Sequence, residues 1–362
     1  MKFYHLFILV FLSGKVEAQK NDADLAPLLI RPRQYAIIKT SEVINIDGKG
    51  SEQAWSKAQW SDAFVEIQGK RDSIDPYSTR YKMLWDKDFL YVYTEFREEH
   101  IWAKLKDHDQ SIFHNNCLEI FIDPDGDSHN YIEFQINAFE AVWDLFMTKP
   151  YRNGGMPLSA WDIKGLKKAV NINGTLNDPS DKDKSWGIEL AFPLNSLVGR
   201  NLPLVGSVWR MNFSRVQYQM DIKDGVYERK QDAKGRLLPS AYYVWSPQGL
   251  VNLHYPERYG FVKFADESGT EKGFIHTETE ALTRMLWKYY YLQQDFKIRY
   301  GKYATTLADL KKDFPNVTFQ NTPRLQLIGT DFQYQIQIKS SSLKTIFIID
   351  HEGKQVQFFF PK

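Results

Sequence analysis

Four long polar side chains fall where the alternation of two strands would gather them. Cys117-Leu118-Glu119-Ile120-Phe121-Ile122-Asp123 is followed, after an acidic turn, by Tyr131-Ile132-Glu133-Phe134-Gln135-Ile136-Asn137. Successive side chains on a strand point to opposite faces, so Leu118, Ile120, Ile122, Ile132, Phe134 and Ile136 form one apolar set that must meet a core. Glu119, Glu133, Gln135 and Asn137 then crowd together on the other face. That many polar groups on one face suit a polar ligand, although a solvated outer face of an antiparallel sheet reads the same way. Glu189, in the alternating residues 186–192, is placed on that face as a third carboxylate. Two suitably separated carboxylates are the minimum for glycoside hydrolysis, and the same acids could instead satisfy Arg210 or Arg97 in a structural network. In the turn, Asp123, Asp125 and Asp127 surround Gly126 and could offer calcium hard oxygen ligands. The turn lacks the distal glutamate of an EF-hand loop, and acidic hairpin turns also occur without metal.

The elements that must position these groups fit a chain of 362 residues, 43% apolar and 15% aromatic, with room for two domains. A net charge of +1 without a long basic run excludes nucleic acid as a partner. Cys117 is the only cysteine, so neither an intrachain disulfide nor a cysteine zinc site can form. Residues 1–18 read as a signal peptide: Lys2, an apolar run from Phe7 to Leu12, then Val16-Glu17-Ala18, with cleavage expected after Ala18. Export to the periplasm or the exterior follows. The apolar run is too short to span a bilayer, and no span is expected after cleavage.

Residues 19–34 read as a linker. From residue 35 to 265 many short alternating runs are separated by turns such as Asp47-Gly48-Lys49-Gly50 and Trp85-Asp86-Lys87-Asp88. Ser51 is a plausible N-cap for a short helix that turns Trp55 inward. This pattern predicts a mainly β fold, an antiparallel β-sandwich. A second linker, residues 266–274, leads to residues 275–362. There Thr277-Glu278-Thr279-Glu280 opens a helix with apolar residues at helical spacing to about Tyr300, ended by Gly301. A short second helix over residues 307–314 and three alternating runs follow, predicting a small α+β domain.

Read in order, residues 35–264 resemble carbohydrate-binding module family 9. The matching pieces are Ile46-Asp47-Gly48 with Trp55, Leu84-Trp85-Asp86 with Leu90-Tyr91-Val92, Leu118 through Asp123, Phe134-Gln135-Ile136-Asn137, and Trp245-Ser246 with Tyr259-Gly260. The resemblance implies a β-sandwich that holds an oligo- or polysaccharide between two aromatic platforms, with polar side chains on the sugar hydroxyls and calcium supporting loops. The C–H face of a pyranose packs on an aromatic ring, and its hydroxyls need partners once water leaves. Carried over by position, the first platform falls on Phe113, six residues before Glu119. Glu119 keeps its place, and Gln135 and Asn137 stand where the family has Arg and Asn. The second platform falls at Leu253, so either His254 or Tyr255 supplies that wall or the aromatic clamp is absent. Trp85, Trp143 and Trp209 are expected in the core. Non-catalytic carbohydrate binding in polysaccharide capture or catabolism ranks first, ahead of a glycoside hydrolase acting on O-glycosyl bonds. The C-terminal helix and the residues after it are similar to type IV pilin-like domains, which implies a protein partner or an assembly role as a third reading.

Overall fold

A computed structural model describes residues 20–69, 75–269, 277–319 and 324–360. The expected signal peptide, and the expected linker beyond residue 269, lie outside the described residues. Among the described residues, no helix is long and apolar enough to cross a membrane.

Thirteen strands form one mixed sheet that curls over a shared core. Its central path runs from Val142–Met147 through Tyr131–Asn137, Cys117–Asp123, Val208–Gln217, Gly260–Ala265 and Gln34–Lys39. It continues through Arg80–Trp85, Phe89–Arg97 and Ser185–Pro193 to Lys167–Asn173. Neighbours pair antiparallel except at Gln34–Lys39, which runs parallel to both the strand before it and the strand after it. The sandwich therefore consists of two antiparallel layers joined through one parallel strand. The period-two prediction holds at the centre: Leu118, Ile120, Ile122, Ile132, Phe134 and Ile136 all enter the core with Tyr81, Met83, Val92 and Ile188 of the other layer. Each fully buried Leu, Ile or Phe contributes about 1.5–3 kcal/mol relative to exposure. Direct contacts across the core include Tyr81 stacked on Phe213 at 3.8 Å and the edge of Phe134 on Phe192 at 5.1 Å.

A separate core forms where the helix Thr277–Tyr300 packs on a four-stranded antiparallel meander running from Leu325–Gly329 to Gln355–Phe359. Gly301 ends that helix in the left-handed conformation at φ 70°, its N–H bonding the Lys297 carbonyl. The short helix Leu307–Asp313 starts from a capping box of Thr306 and Asp309.

Residues 20–34 are not a free linker. Asn21 caps a helical turn, Asp22–Leu25, and Leu25 is wholly buried in the C-terminal core. Lys20 pairs with Asp295 and Asp22 with Lys288, each at 2.6 Å. The hydrogen bond from Lys288 is the main reason the Asp22 carboxyl titrates at about 2. A polar composition hides this turn because one leucine and one cap suffice to anchor it.

Candidate functional site

Strand register builds the site. Glu119 lies opposite Gln135 and Gln135 opposite Trp143, while Phe121, Glu133 and Leu145 make the next row. Neighbouring strands lie about 4.8 Å apart, so each row is a continuous strip of side chains on the face away from the main core. The strip floors a cleft of about 400 Å³, whose walls include Phe113, Tyr151, Tyr242 and the loop residues 251–254.

Gln135 is a fixed part of the floor. Its Nε2 donates to Glu133 Oε1 at 2.6 Å and its Oε1 accepts the Phe113 N–H at 2.8 Å, so it holds both neighbours in place. The Phe113 ring lies against Trp143 with centroids 5.9 Å apart and planes 30° apart, giving one half-buried aromatic surface. On the other side, His254 Nδ1 bonds the Tyr131 hydroxyl at 2.8 Å, its Nε2 stands 3.7 Å from Glu133, and the Tyr151 ring packs on it at 4.4 Å. Two buried polar atoms of the cleft, Glu119 Oε2 and Trp143 Nε1, have no hydrogen-bond partner among the described residues. Leaving such a group unpaired costs about 1–3 kcal/mol, which a ligand hydroxyl would offset.

Burial raises the titration of both Glu119 and Glu133, and for Glu119 the neighbouring Glu133 charge raises it further. Burial, followed by the nearby Arg152 cation, pushes His254 down to about 4, so its ring is neutral at physiological pH.

Of the residues singled out in the sequence, Phe113, Glu119, Gln135 and His254 meet in this cleft. Asn137 does not. It is wholly buried, donating to the Leu105 carbonyl and Asn115 and accepting from the N–H groups of Phe139 and Ala141, because at the strand end its side chain ties adjoining loops together. Tyr255 also lies elsewhere, packed on the C-terminal core beneath the Arg152 guanidinium at 4.2 Å. Glu189 belongs to the opposite layer, where it binds the N–H groups of Asp47 and Gly48 and the Trp55 indole. Arg210 turns to the carbonyls of Glu257 and Tyr259 and not to the paired acids. Trp85 and Trp209 are in the core, but Trp143 is on the cleft floor. The alternation in Val142-Trp143-Asp144-Leu145 carried that signal, since it puts Trp143 on the Gln135 face once the strands pair. Tyr151 sits in a loop whose position no local pattern specifies.

The carboxylates of Asp123, Asp125 and Asp127 converge within 4.8 Å of one another. Both Asp123 oxygens accept turn N–H groups, from Gly126 and Ser128, and the Lys354 ammonium stands 3.3 Å from Asp127. A calcium ion fits this donor set only beside, or in place of, that ammonium.

The sandwich thus carries, on the outer face of one layer, a cleft with an aromatic floor and unpaired buried polar groups. Residues 46–224 match the family described as carbohydrate family 9 binding domain-like. Similar solved structures include a putative carbohydrate-binding protein from Bacteroides uniformis, 16% identical, covering 64% of this chain and 99% of its own, with a TM-score of 0.47. A family 9 carbohydrate binding module from Caldicellulosiruptor kristjanssonii, solved with cellotriose and with glucose, is 15% identical at a TM-score of 0.42, covering 67% of this chain and 100% of its own. No curated protein matches the chain.

Proposed function

We propose that the chain is an exported, non-catalytic carbohydrate-binding protein that captures an oligo- or polysaccharide in this cleft, in the service of polysaccharide catabolism. The observation that carries the reading is the pairing of an aromatic surface, Phe113 on Trp143, with two unpartnered buried polar atoms, Glu119 Oε2 and Trp143 Nε1. A pyranose offers both complements. Its C–H face covers the rings, one hydroxyl donates to Glu119, and an oxygen accepts from the Trp143 indole.

Burial disfavours the charged form of Glu119 and of Glu133, and the Glu133 charge raises Glu119 further. A glycosidase works with one carboxyl protonated and the other ionised, so hydrolysis is tested alongside binding. The test is a glycan-array screen that includes cellotriose and glucose, followed by calorimetry on the wild type and Phe113→Ala. Binding of a defined oligosaccharide that the variant weakens is expected. A folded protein that binds no glycan would overturn the reading, and aryl-glycoside hydrolysis abolished by Glu119→Gln would replace it with the hydrolase.

A further inference from the structure

The part of the cleft wall made by Tyr151 and His254 is held from outside the sandwich. Tyr151 opens a short turn, Tyr151–Asn153, and that turn is tied to the C-terminal domain along its length. Lys149, just before it, pairs with Glu352 at 2.5 Å. Asn153 donates to the Glu352 carbonyl and accepts from the Tyr290 hydroxyl at 2.8 Å. Between them Arg152 donates to the Tyr290 hydroxyl at 3.3 Å and to the His254 carbonyl at 3.4 Å, and pairs with Glu257 at 3.0 Å. The far oxygen of Glu257 accepts the Tyr291 hydroxyl at 2.7 Å. The Arg152 guanidinium also lies over the rings of Tyr255, Tyr290 and Trp287, at 4.2, 5.5 and 5.7 Å.

Arg152 thus joins three things: the turn carrying Tyr151, the loop carrying His254, and the long C-terminal helix. A planar guanidinium fits this role because it can donate in several directions while its faces stack on aromatic rings. Of the helix tyrosines, Tyr290 and Tyr291 are engaged in this contact. The family match ends at residue 224, so the His254 loop and the C-terminal helix lie beyond the matched residues, whereas Arg152 lies within them.

We infer that the C-terminal domain is a built-in positioning element of the cleft, with Arg152 transmitting the placement of the helix to Tyr151 and His254 and so setting how tightly and which sugar is held. This rests on the cleft being the carbohydrate site. The ligand it implies is one that reaches past the Phe113 and Trp143 surface to the Tyr151 and His254 wall, which favours an oligosaccharide over a single sugar. Movement of a wall by a fraction of an ångström is enough to lose contacts that depend on close packing.

The test uses the whole chain with Tyr290→Phe/Tyr291→Phe, Arg152→Met, and, as a control in the same C-terminal core, Tyr334→Phe. Three readouts are taken: melting temperature, affinity for cellotriose and for the tightest oligosaccharide on the array well below that temperature, and hydrogen exchange over residues 149–154 and 251–255. The expected result is a folded double-tyrosine variant that loses protection in both segments and binds about tenfold more weakly, as the loss of one well-packed contact would give. Arg152→Met is expected to lose more, and Tyr334→Phe to bind as the wild type does. A role in stability alone would lower the melting temperature and leave the affinity of the folded protein unchanged, which would overturn the inference. If the wild type binds no glycan, the carbohydrate reading fails by itself. Hydrogen exchange then decides the positioning claim, and unchanged protection of both segments in the two variants overturns it.

Discussion

Of the places in the sandwich that combine a buried glutamate with a tryptophan, two form an instructive pair. In the layer that carries Glu189, both carboxylate oxygens are used: one accepts the N–H groups of Asp47 and Gly48 at 3.1 Å, and the other accepts the Trp55 indole at 2.8 Å. In the other layer, Glu119 Oε2 and the Trp143 indole N–H are buried without a hydrogen-bond partner among the described residues, on side chains that line the cleft. The residue types are the same, and so is the burial of the carboxylate. What separates a strut from a candidate site is whether the hydrogen-bonding capacity is spent inside the protein. Glu189 closes the turn at Asp47 and Gly48 onto its sheet, whereas Glu119 waits for a partner.

This contrast can be broken most directly at the strut. Glu189→Ala leaves three donors, two of them buried, without an acceptor and is expected to destabilise the fold by about 3 kcal/mol or more, read by urea denaturation. The affinity of the remaining folded protein for its oligosaccharide should not change. A Glu189→Ala protein of wild-type stability would show that hydrogen-bond satisfaction does not distinguish the two places. The converse change is Trp143→Ala, which removes the aromatic floor and the unpaired indole together. It is expected to cost about 2 kcal/mol of binding, roughly thirtyfold, with a much smaller effect on unfolding. A large loss of stability with intact binding would assign Trp143 to the core, where the sequence had placed it.

The sequence carried the strand alternation well because one face had to be wholly apolar. Leu118 through Ile136 could occupy only the core, which left Glu119, Glu133 and Gln135 on the cleft side. Pairing across strands was less legible. Glu189 has the right spacing within its own strand, but spacing does not say which layer a strand joins, and Glu189 went to the opposite one. Asn137 was readable as a face residue and not as the strand end that it is, where the chain turns and the amide is drawn into neighbouring loops. Tyr255 was separated from His254 by a single peptide unit, yet the two point to different places, one to the C-terminal core and one to the cleft. The long helix and the meander were legible from periodicity and turn residues. Their bracing of the cleft was not, because it depends on Arg152 meeting Glu257 and Tyr290, each more than a hundred positions away.

A finer test sharpens the same comparison by conserving shape and changing only charge. Glu119→Gln retains an acceptor and removes a carboxyl whose ionisation burial opposes. It is expected to leave stability unchanged or slightly higher at pH 8, while weakening oligosaccharide binding by about tenfold, or 1.4 kcal/mol. Glu189→Gln should do the reverse, since an amide oxygen is a poorer acceptor for three donors and the amide nitrogen cannot accept at all. Equal effects from the two substitutions would erase the distinction.

The smallest expected effect is on the pH dependence of folding. Glu119 and Glu133 titrate higher folded than unfolded, so their contribution is fully present below the unfolded carboxyl range and is lost as pH rises through the folded values. His254 works in the opposite direction. Its folded value of about 4 lies below the ordinary histidine value of 6.5, so the neutral ring's contribution is present above pH 6.5 and is lost as pH falls toward 4. The two trends oppose each other between the ordinary carboxyl and histidine values. Above pH 6.5 the histidine contribution is constant, and of these three groups only the acid pair still changes, alongside Asp123, which burial also raises. Urea unfolding should therefore show stability declining from pH 6.5 to 8, and Glu119→Gln/Glu133→Gln should flatten that decline. If the double variant keeps the full wild-type slope in this window, the cleft acids are ionised at little cost, and their burial would no longer mark them as groups kept in readiness for a ligand.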